Sequence, residues 1–504
     1  MAIEFGINLF FPLIPFLLPF LLCHLIFKHL KPKNPPLPPG PYPWPILGNI
    51  LQIGKKPHLA LTRFANIYGP LFSLKLGTQI VIVGSSEAAA MEILKTHDKI
   101  LSGRYIPHVA PTNKSPELKN LSLGWTLECN DKWKYLRTIC KSELFSAKAL
   151  EAQQCKREEK VMEMIGFIKE MEGKEVKVRE VAMVTVFNML SSIMVSKDLM
   201  SLDKQENGDG EMGLLLEKIL ELASTPNISD LYPILGRFDL QGLQKKIMEL
   251  HGRFFEICEG IVEERREEKR RGSILGSNQR DFIDTLIDNG SSNDQINVLL
   301  VELLSASTDT SSTTIEWTMA ELIRNPECMK KVKEEITKKL TQQIITIKES
   351  HIPQLPYLQA CVKETLRLHP PGPFLLPHRA TDTCQLMNYT IPKNSQVLVN
   401  FWAIGRDPTN WENPSVFNPE RFLDLNLDFK GNDFGFIPFG SGRRICPGLP
   451  MAAKQVPLII ASLVHFFNWS LPNGKDFTDL NMAENFGLTL RIEQPLILIP
   501  KIKG

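Results

Sequence analysis

Apolar residues fill Leu9 to Phe27 almost without interruption. At about 1.5 Å per residue, a helix of that length crosses a bilayer. Pro12, Pro15 and Pro19 each remove a helix hydrogen bond, so the segment is expected to be kinked or to begin its helix late. Glu4 precedes the run, and Lys28, Lys31 and Lys33 follow it. That order favours an uncleaved anchor over residues 1–31, its carboxyl side in the cytosol, above a cleaved signal peptide. The proline run PPLPPGPYPWP at 35–45 cannot continue a helix and predicts a stiff hinge over 32–45, ahead of a folded body over 46–504. In the body, Leu71 to Leu76 and Gln79 to Val83 read as a β-hairpin about Gly77-Thr78. A serine-capped helix is expected over Ser85 to Lys95. Helical periodicity then dominates, strand signals returning only in the last third, with no internal repeat. Its longest uninterrupted stretch is Val298 to Leu322. The predicted class is mainly α with small β-sheets.

Composition changes the picture in two places. The formal charge of +2, from 58 basic and 56 acidic residues, argues against a nucleic-acid partner. Nine scattered cysteines with no CxxC pair or zinc spacing fit a reducing compartment without a disulfide framework. The mixed-charge run EERREEKRR at 263–271 reads as the solvated end of a long helix.

The candidate chemistry gathers at Phe439-Gly440-Ser441-Gly442-Arg443-Arg444-Ile445-Cys446-Pro447-Gly448. A thiolate is a strong, soft ligand for iron, and keeping it anionic when buried takes hydrogen-bond donors and nearby positive charge. Glycines let backbone bend around the sulfur and approach a flat group closely. Arg444 can pair with a carboxylate. The stretch resembles the cysteine-ligand loop of the cytochrome P-450 family, with Phe439, Gly442, Arg444, Cys446 and Gly448 at the family's motif positions. That resemblance implies the P-450 fold, haem b held through Cys446, and Gly440 among the cofactor-binding residues.

Other segments fit the same resemblance. Trp133 and Arg137, one helical turn apart, match the helix that sets a tryptophan and an arginine beside a haem propionate. His378 stands where many members offer a basic group to a propionate, with Arg379 as the fallback. Glu364, Arg367 and, in PERF, Arg421 match a structural lock behind the cysteine loop. Ala306 to Thr314 (ASTDTSSTT) puts hydroxyls and an acid inside an apolar helix, a local inconsistency expected at functional sites. It resembles the dioxygen-handling motif, with Asp309 and Thr310 as an acid–alcohol pair and Ser307 where glycine is usual. A side chain there is expected to narrow the space above the iron. Phe374, Leu375, Leu376, Ala306 and Phe486 are expected in the substrate pocket. Glu302, one turn before Ala306, reads either as a capping carboxylate or as the partner of a substrate's protonated amine.

No GxGxxG opens a βαβ unit, so electrons are expected from NADPH through a co-resident NADPH-cytochrome P-450 reductase at the endoplasmic reticulum membrane. The stretches GNILQIGKKPHL at 48–59, HDKILSGR at 97–104 and RFDLQGL at 237–243 are similar to plant enzymes of benzylisoquinoline alkaloid metabolism. The resemblance implies intramolecular carbon–carbon phenol coupling, reticuline to an aporphine such as corytuberine. Aromatic hydroxylation and intermolecular coupling to bisbenzylisoquinolines are the alternatives. A reductase-independent isomerase and a non-catalytic haem protein are the rival classes.

Overall fold

A computed structural model describes residues 36–110, 121–203, 210–271, 280–340, 346–425 and 427–503. The anchor expected over 1–31 and the first hinge residues lie outside these. The described part of the hinge is strapped to the body. Ser73 donates its N–H to Pro39 O at 2.8 Å and its hydroxyl to Pro38 O at 2.6 Å. A Cβ on Gly40 would sit 1.9 Å from Ser73 O, so only glycine fits there.

The expected hairpin forms as β1 (Leu71–Leu76) and β2 (Gln79–Gly84), paired antiparallel with Leu76 opposite Gln79. They belong to a five-stranded sheet with β3 (Gly103–Arg104), β4 (His378–Arg379) and β5 (Gln396–Val399), in the order β1-β2-β5-β4-β3. The helix after the hairpin is capped by Ser86, whose hydroxyl accepts from Ala89 N, and Glu87–Met91 passes into a π-turn at Glu92–Thr96.

The remaining bulk is helical, as expected. Helices used below are α1 (Asp131–Cys140), α2 (Val178–Val195), α3 (Gly210–Ser224) and α4 (Leu243–Arg270). They are followed by α5 (Asn293–Arg324), α6 (Pro356–Leu368) and α7 (Leu449–Phe466). The EERREEKRR run does end a long helix, α4. Among the described residues, α2 and α7 are long and apolar enough to cross a membrane, but 83% and 61% of their apolar windows are buried, so they are core helices. α5 runs through the middle of the molecule against α2, α4, α6 and α7. Its hydroxyls fold back on its own carbonyls: Thr308 donates to Leu304 O at 2.6 Å, Thr314 to Thr310 O at 2.9 Å and Thr318 to Thr314 O at 2.8 Å. This bonding lets a polar run survive in a buried helix.

Glu364 and Arg367 share one face of α6 with no exposure, joined by two bonds of 2.7 Å. Arg421 Nε adds a third at 3.0 Å. Arg367 also donates to Gly405 O and Pro414 O, and so pins the loop before Arg421 to α6. The three residues predicted as a lock are therefore in contact.

Candidate active site

A cavity of about 470 Å³ lies between α5 and the 439–448 loop. Cys446 borders it. The loop is built around the sulfur: Cys446 N donates to Phe439 O at 2.9 Å, and the N–H groups of Gly448 and Leu449 point at Sγ. Gly440 and Gly442 both take positive φ, and a Cβ on Gly442 would meet Leu94 O at 2.2 Å. Arg137 Nη2 donates to Ile445 O at 2.5 Å, tying α1 to the residue before the cysteine. Burial pushes the thiol up, opposed by the Gly448 N–H, the Arg137 charge and the Leu449 N–H. A bound cation at the sulfur would reverse that balance, because a coordinating thiol is deprotonated.

Arg104, Arg137 and Arg444 all border this cavity, yet Glu302 and Asp309 are its carboxylates and both are engaged elsewhere. Arg104 is buried on β3, donates through Nη1 to Leu376 O at 2.5 Å, and its Nε has no partner. An orphaned guanidinium N–H, a cysteine with N–H donors at its sulfur and a glycine-shaped turn fit an iron group that carries carboxylates. Haem is such a group, and these residues fit it.

The sequence matches the cytochrome P-450 family over residues 38–499. The chain belongs to the cytochrome P-450 family. With that membership it is a haem-dependent monooxygenase enzyme, supplied with electrons from NADPH through a reductase. It is 46% identical to (S)-N-methylcoclaurine 3'-hydroxylase isozyme 1 of Papaver somniferum over 480 residues, covering 95% of this chain and 98% of that one. A probable isozyme 2 of Coptis japonica is 48% identical over 484 residues, 96% of each chain. Corytuberine synthase of Coptis japonica is 45% identical over 498 residues, 98% of this chain and 99% of that one.

Several residues of this P-450 stand differently from the sequence expectation. His378 is buried on β4 with Nδ1 2.7 Å from Leu101 O. Burial and then the Arg104 charge hold it well below the usual histidine range, so it is neutral. Arg104, overlooked as a site residue, supplies the cation; burial lowers it only to about 9. The fallback Arg379 is bonded to Asn394 instead. Arg444 gives all three nitrogens to the 102–126 segment, at Ser102 O, Leu123 O, and Thr126 Oγ1 and O. Trp133 lies off the cavity wall: its indole N–H donates to Leu123 O at 2.9 Å. The Arg137 and Arg444 guanidiniums lie over its ring at 5.4 and 4.8 Å, so it positions them.

On α5, Ala306 and Thr310 border the cavity one turn apart, and Ser307 does not. Ser307 sits 100° round the helix, its hydroxyl on Leu304 O at 3.3 Å, so it does not narrow the space above the cysteine. The expected acid–alcohol pair is split. Thr310 donates to Ala306 O at 2.7 Å, while Asp309 is buried between Arg179 at 2.7 Å and Arg491 at 2.6 Å and accepts from Thr489 at 2.8 Å. Glu302 is a capping carboxylate after all: it takes the hydroxyl of Ser122 and the N–H of Leu123 at 2.7 Å. Burial, against the pull of Ser122, pushes it up to about 7, and both its oxygens are already engaged by protein donors rather than offered to a cationic amine.

Leu375 and Leu376 border the cavity as expected, but Phe374 and Phe486 do not. Those two rings pack on each other at 5.6 Å, in a cluster with Phe64 and Phe72 under the five-stranded sheet. The turn after Phe486 reaches the cavity through Leu488 and Thr489 instead.

Proposed function

We propose that this P-450 oxidises a phenolic benzylisoquinoline alkaloid, by intramolecular carbon–carbon phenol coupling of a reticuline-like substrate to an aporphine. The observation that carries the substrate class is likeness over nearly the whole chain to enzymes named for such alkaloids. An apolar cavity wall of Val109, Ile219, Leu220, Val301, Leu303 and Leu375 suits an aromatic ligand. A second reading, hydroxylation of one ring, is favoured by the 45–48% identity to 3'-hydroxylases.

In this reading Cys446 would hold the haem iron through its sulfur, and Arg104, with Arg137 behind the cysteine loop, would meet the carboxylates of the haem. The bound haem supplies one-electron and dioxygen chemistry. The protein's own residues fix the geometry. Leu375, Leu376 and Val301 exclude water from the phenol rings. Ala306 leaves room on α5 for the substrate, and Thr310, one turn on, carries a hydroxyl that must leave Ala306 O before it can donate to anything in the cavity. The Glu364–Arg367–Arg421 lock keeps the loop behind Cys446 in register.

The same reading places residues 1–31 as a membrane anchor, with the catalytic body on the cytosolic face of the endoplasmic reticulum and the reductase as partner. Support comes from an exposed apolar patch made by two distant segments. Tyr42, Trp44 and Ile46 lie beside Ile234, Phe238 and Leu240, all exposed, and Tyr232 Oη joins the segments by donating to Ile46 O at 3.0 Å.

The test is mass spectrometry of microsomes holding this protein and a reductase, fed a panel of benzylisoquinolines. Loss of two hydrogens from one substrate is expected. Gain of one oxygen selects the hydroxylation reading, and a doubled mass less two hydrogens selects dimerisation. Conversion of none overturns the substrate class.

A further inference from the structure

The polar groups on the cavity wall are nearly all spoken for. Glu302 is capped by Ser122 and Leu123, Asp309 is paired with two arginines, Thr310 donates to its own helix and Thr489 donates to Asp309. Arg104 Nε, Ser305 Oγ on α5 and, on the side walled by α3 and α4, His251 are the exceptions. His251 borders the cavity with Ile219, Leu220, Ala223 and Ile247 and is 3% exposed, and its Nδ1 has no hydrogen-bond partner. Phe255, one turn on along α4, stacks on the ring at 6.4 Å and 19° and holds its orientation.

Burial alone pushes this imidazole down to about 4, with no carboxylate or cation contributing. It is therefore neutral at physiological pH and always keeps a lone pair. A buried polar group left without a partner is costly, and such groups ordinarily find one in protein, water or ligand. The four lining residues named above are apolar and offer it no donor. Nδ1 is itself closed off from the cavity, so a ligand meets the ring at Nε2, which has no protein partner among the described residues, and a phenol hydroxyl is a good donor that an apolar wall otherwise leaves unsatisfied.

We propose that His251 accepts a hydrogen bond from a phenol hydroxyl of the substrate, and so selects phenols over their ethers and sets which ring is turned toward Cys446. This rests on the substrate class proposed above, and names the residue that recognises it. It also replaces charge pairing as the means of holding the alkaloid, since no free carboxylate faces the cavity among the described residues.

Equilibrium dialysis of the haem-loaded, full-length enzyme against reticuline and against its fully O-methylated ether tests this without turnover. The unaltered enzyme is expected to bind the phenol more tightly. His251→Leu is expected to weaken phenol binding roughly three- to tenfold, the worth of one hydrogen bond, and to leave the ether within about twofold. His251→Gln keeps an acceptor and is expected to keep most of the preference. In turnover, the leucine variant is expected to spread its product over more than one regioisomer. Equal changes for phenol and ether, or no change for either, overturn the role of His251. Should the leucine variant not fold, the glutamine variant decides: loss of the phenol preference overturns the proposal and its retention supports it. Binding of neither compound by the unaltered enzyme overturns the substrate class itself, and is thereby told apart from failure of His251 alone.

Discussion

Thr489 donates its hydroxyl to Asp309 Oδ2 at 2.8 Å while its residue forms part of the cavity wall. Thr489 Oγ1 in turn accepts from Arg491 Nε at 3.1 Å, and Arg491 Nη2 reaches Asp309 Oδ1 at 2.6 Å. One turn of chain between two short strands thus connects the substrate's surroundings to the buried acid of α5. Thr489→Val removes two neutral–ionic bonds, one to Asp309 and one from Arg491, and is expected to cost about 2–3 kcal/mol. Arg491→Met removes a charge-assisted contact and is expected to cost about 2 kcal/mol, leaving Arg179 as the acid's counter-charge. Both are read as lowered thermal midpoints. Product formed per NADPH consumed is expected to fall in both, because Asp309 loses the contact that fixes its rotamer.

Arg104 and His378 sit on neighbouring strands and face the same cavity, but only one of them is charged. Arg104→Met is expected to lower the haem-to-protein ratio of the purified enzyme several-fold, since a carboxylate-bearing group loses a desolvated cation. His378→Gln keeps a donor for Leu101 O and is expected to leave the ratio within about twofold. Equal losses in the two variants would restore the histidine to the role that its sequence position suggested.

Glu302 supplies a pH signature. Its carboxyl titrates near 7 in the folded protein, against an ordinary value of 4.5, because burial outweighs the Ser122, Leu123 and Gly124 donors. The folded state therefore holds a proton that the unfolded chain has released between these two values. Stability falls as pH rises through that window and levels off above it. Glu302→Gln is expected to flatten this part of the profile, measured as thermal midpoint against pH, and to leave the binding of cationic and neutral ligands equally affected. Glu316, also raised to about 7, keeps part of the slope in the variant.

How much of this was legible in the sequence depended on the distance over which each feature is determined. The hairpin, the Trp133–Arg137 pair on one helix face and the cysteine turn are set by residues a few positions apart, and spacing revealed them. The Glu364–Arg367–Arg421 lock spans 57 positions at its widest, and the short motifs at its two ends made it readable. The ion pairs of Asp309 had no local signal, because its partners Arg179 and Arg491 lie 130 and 182 positions away. Helix phase explains Ser307: a shift of one residue from Ala306 turns the side chain off the cavity. Phe374 was expected in the pocket from the resemblance of its segment, and an apolar ring fits a core cluster as well as a pocket wall, as it does for Phe486. Arg104 carried a signal, an arginine after a small Ser-Gly pair, but only the pairing of β3 with β4 brings it beside His378. His251 gave no sequence signal, since a lone histidine on a helix face is ordinary until its surroundings are known.

The site assignment depends on the sulfur of Cys446 being the haem's ligand. The carbon monoxide spectrum of the reduced enzyme reads that bond directly. The unaltered protein is expected to show the long-wavelength Soret band of thiolate ligation, and Cys446→Ser is expected to lose it, with most of its haem. A Cys446→Ser protein that keeps the band, or an unaltered, haem-loaded protein that never shows it, would contradict the assignment.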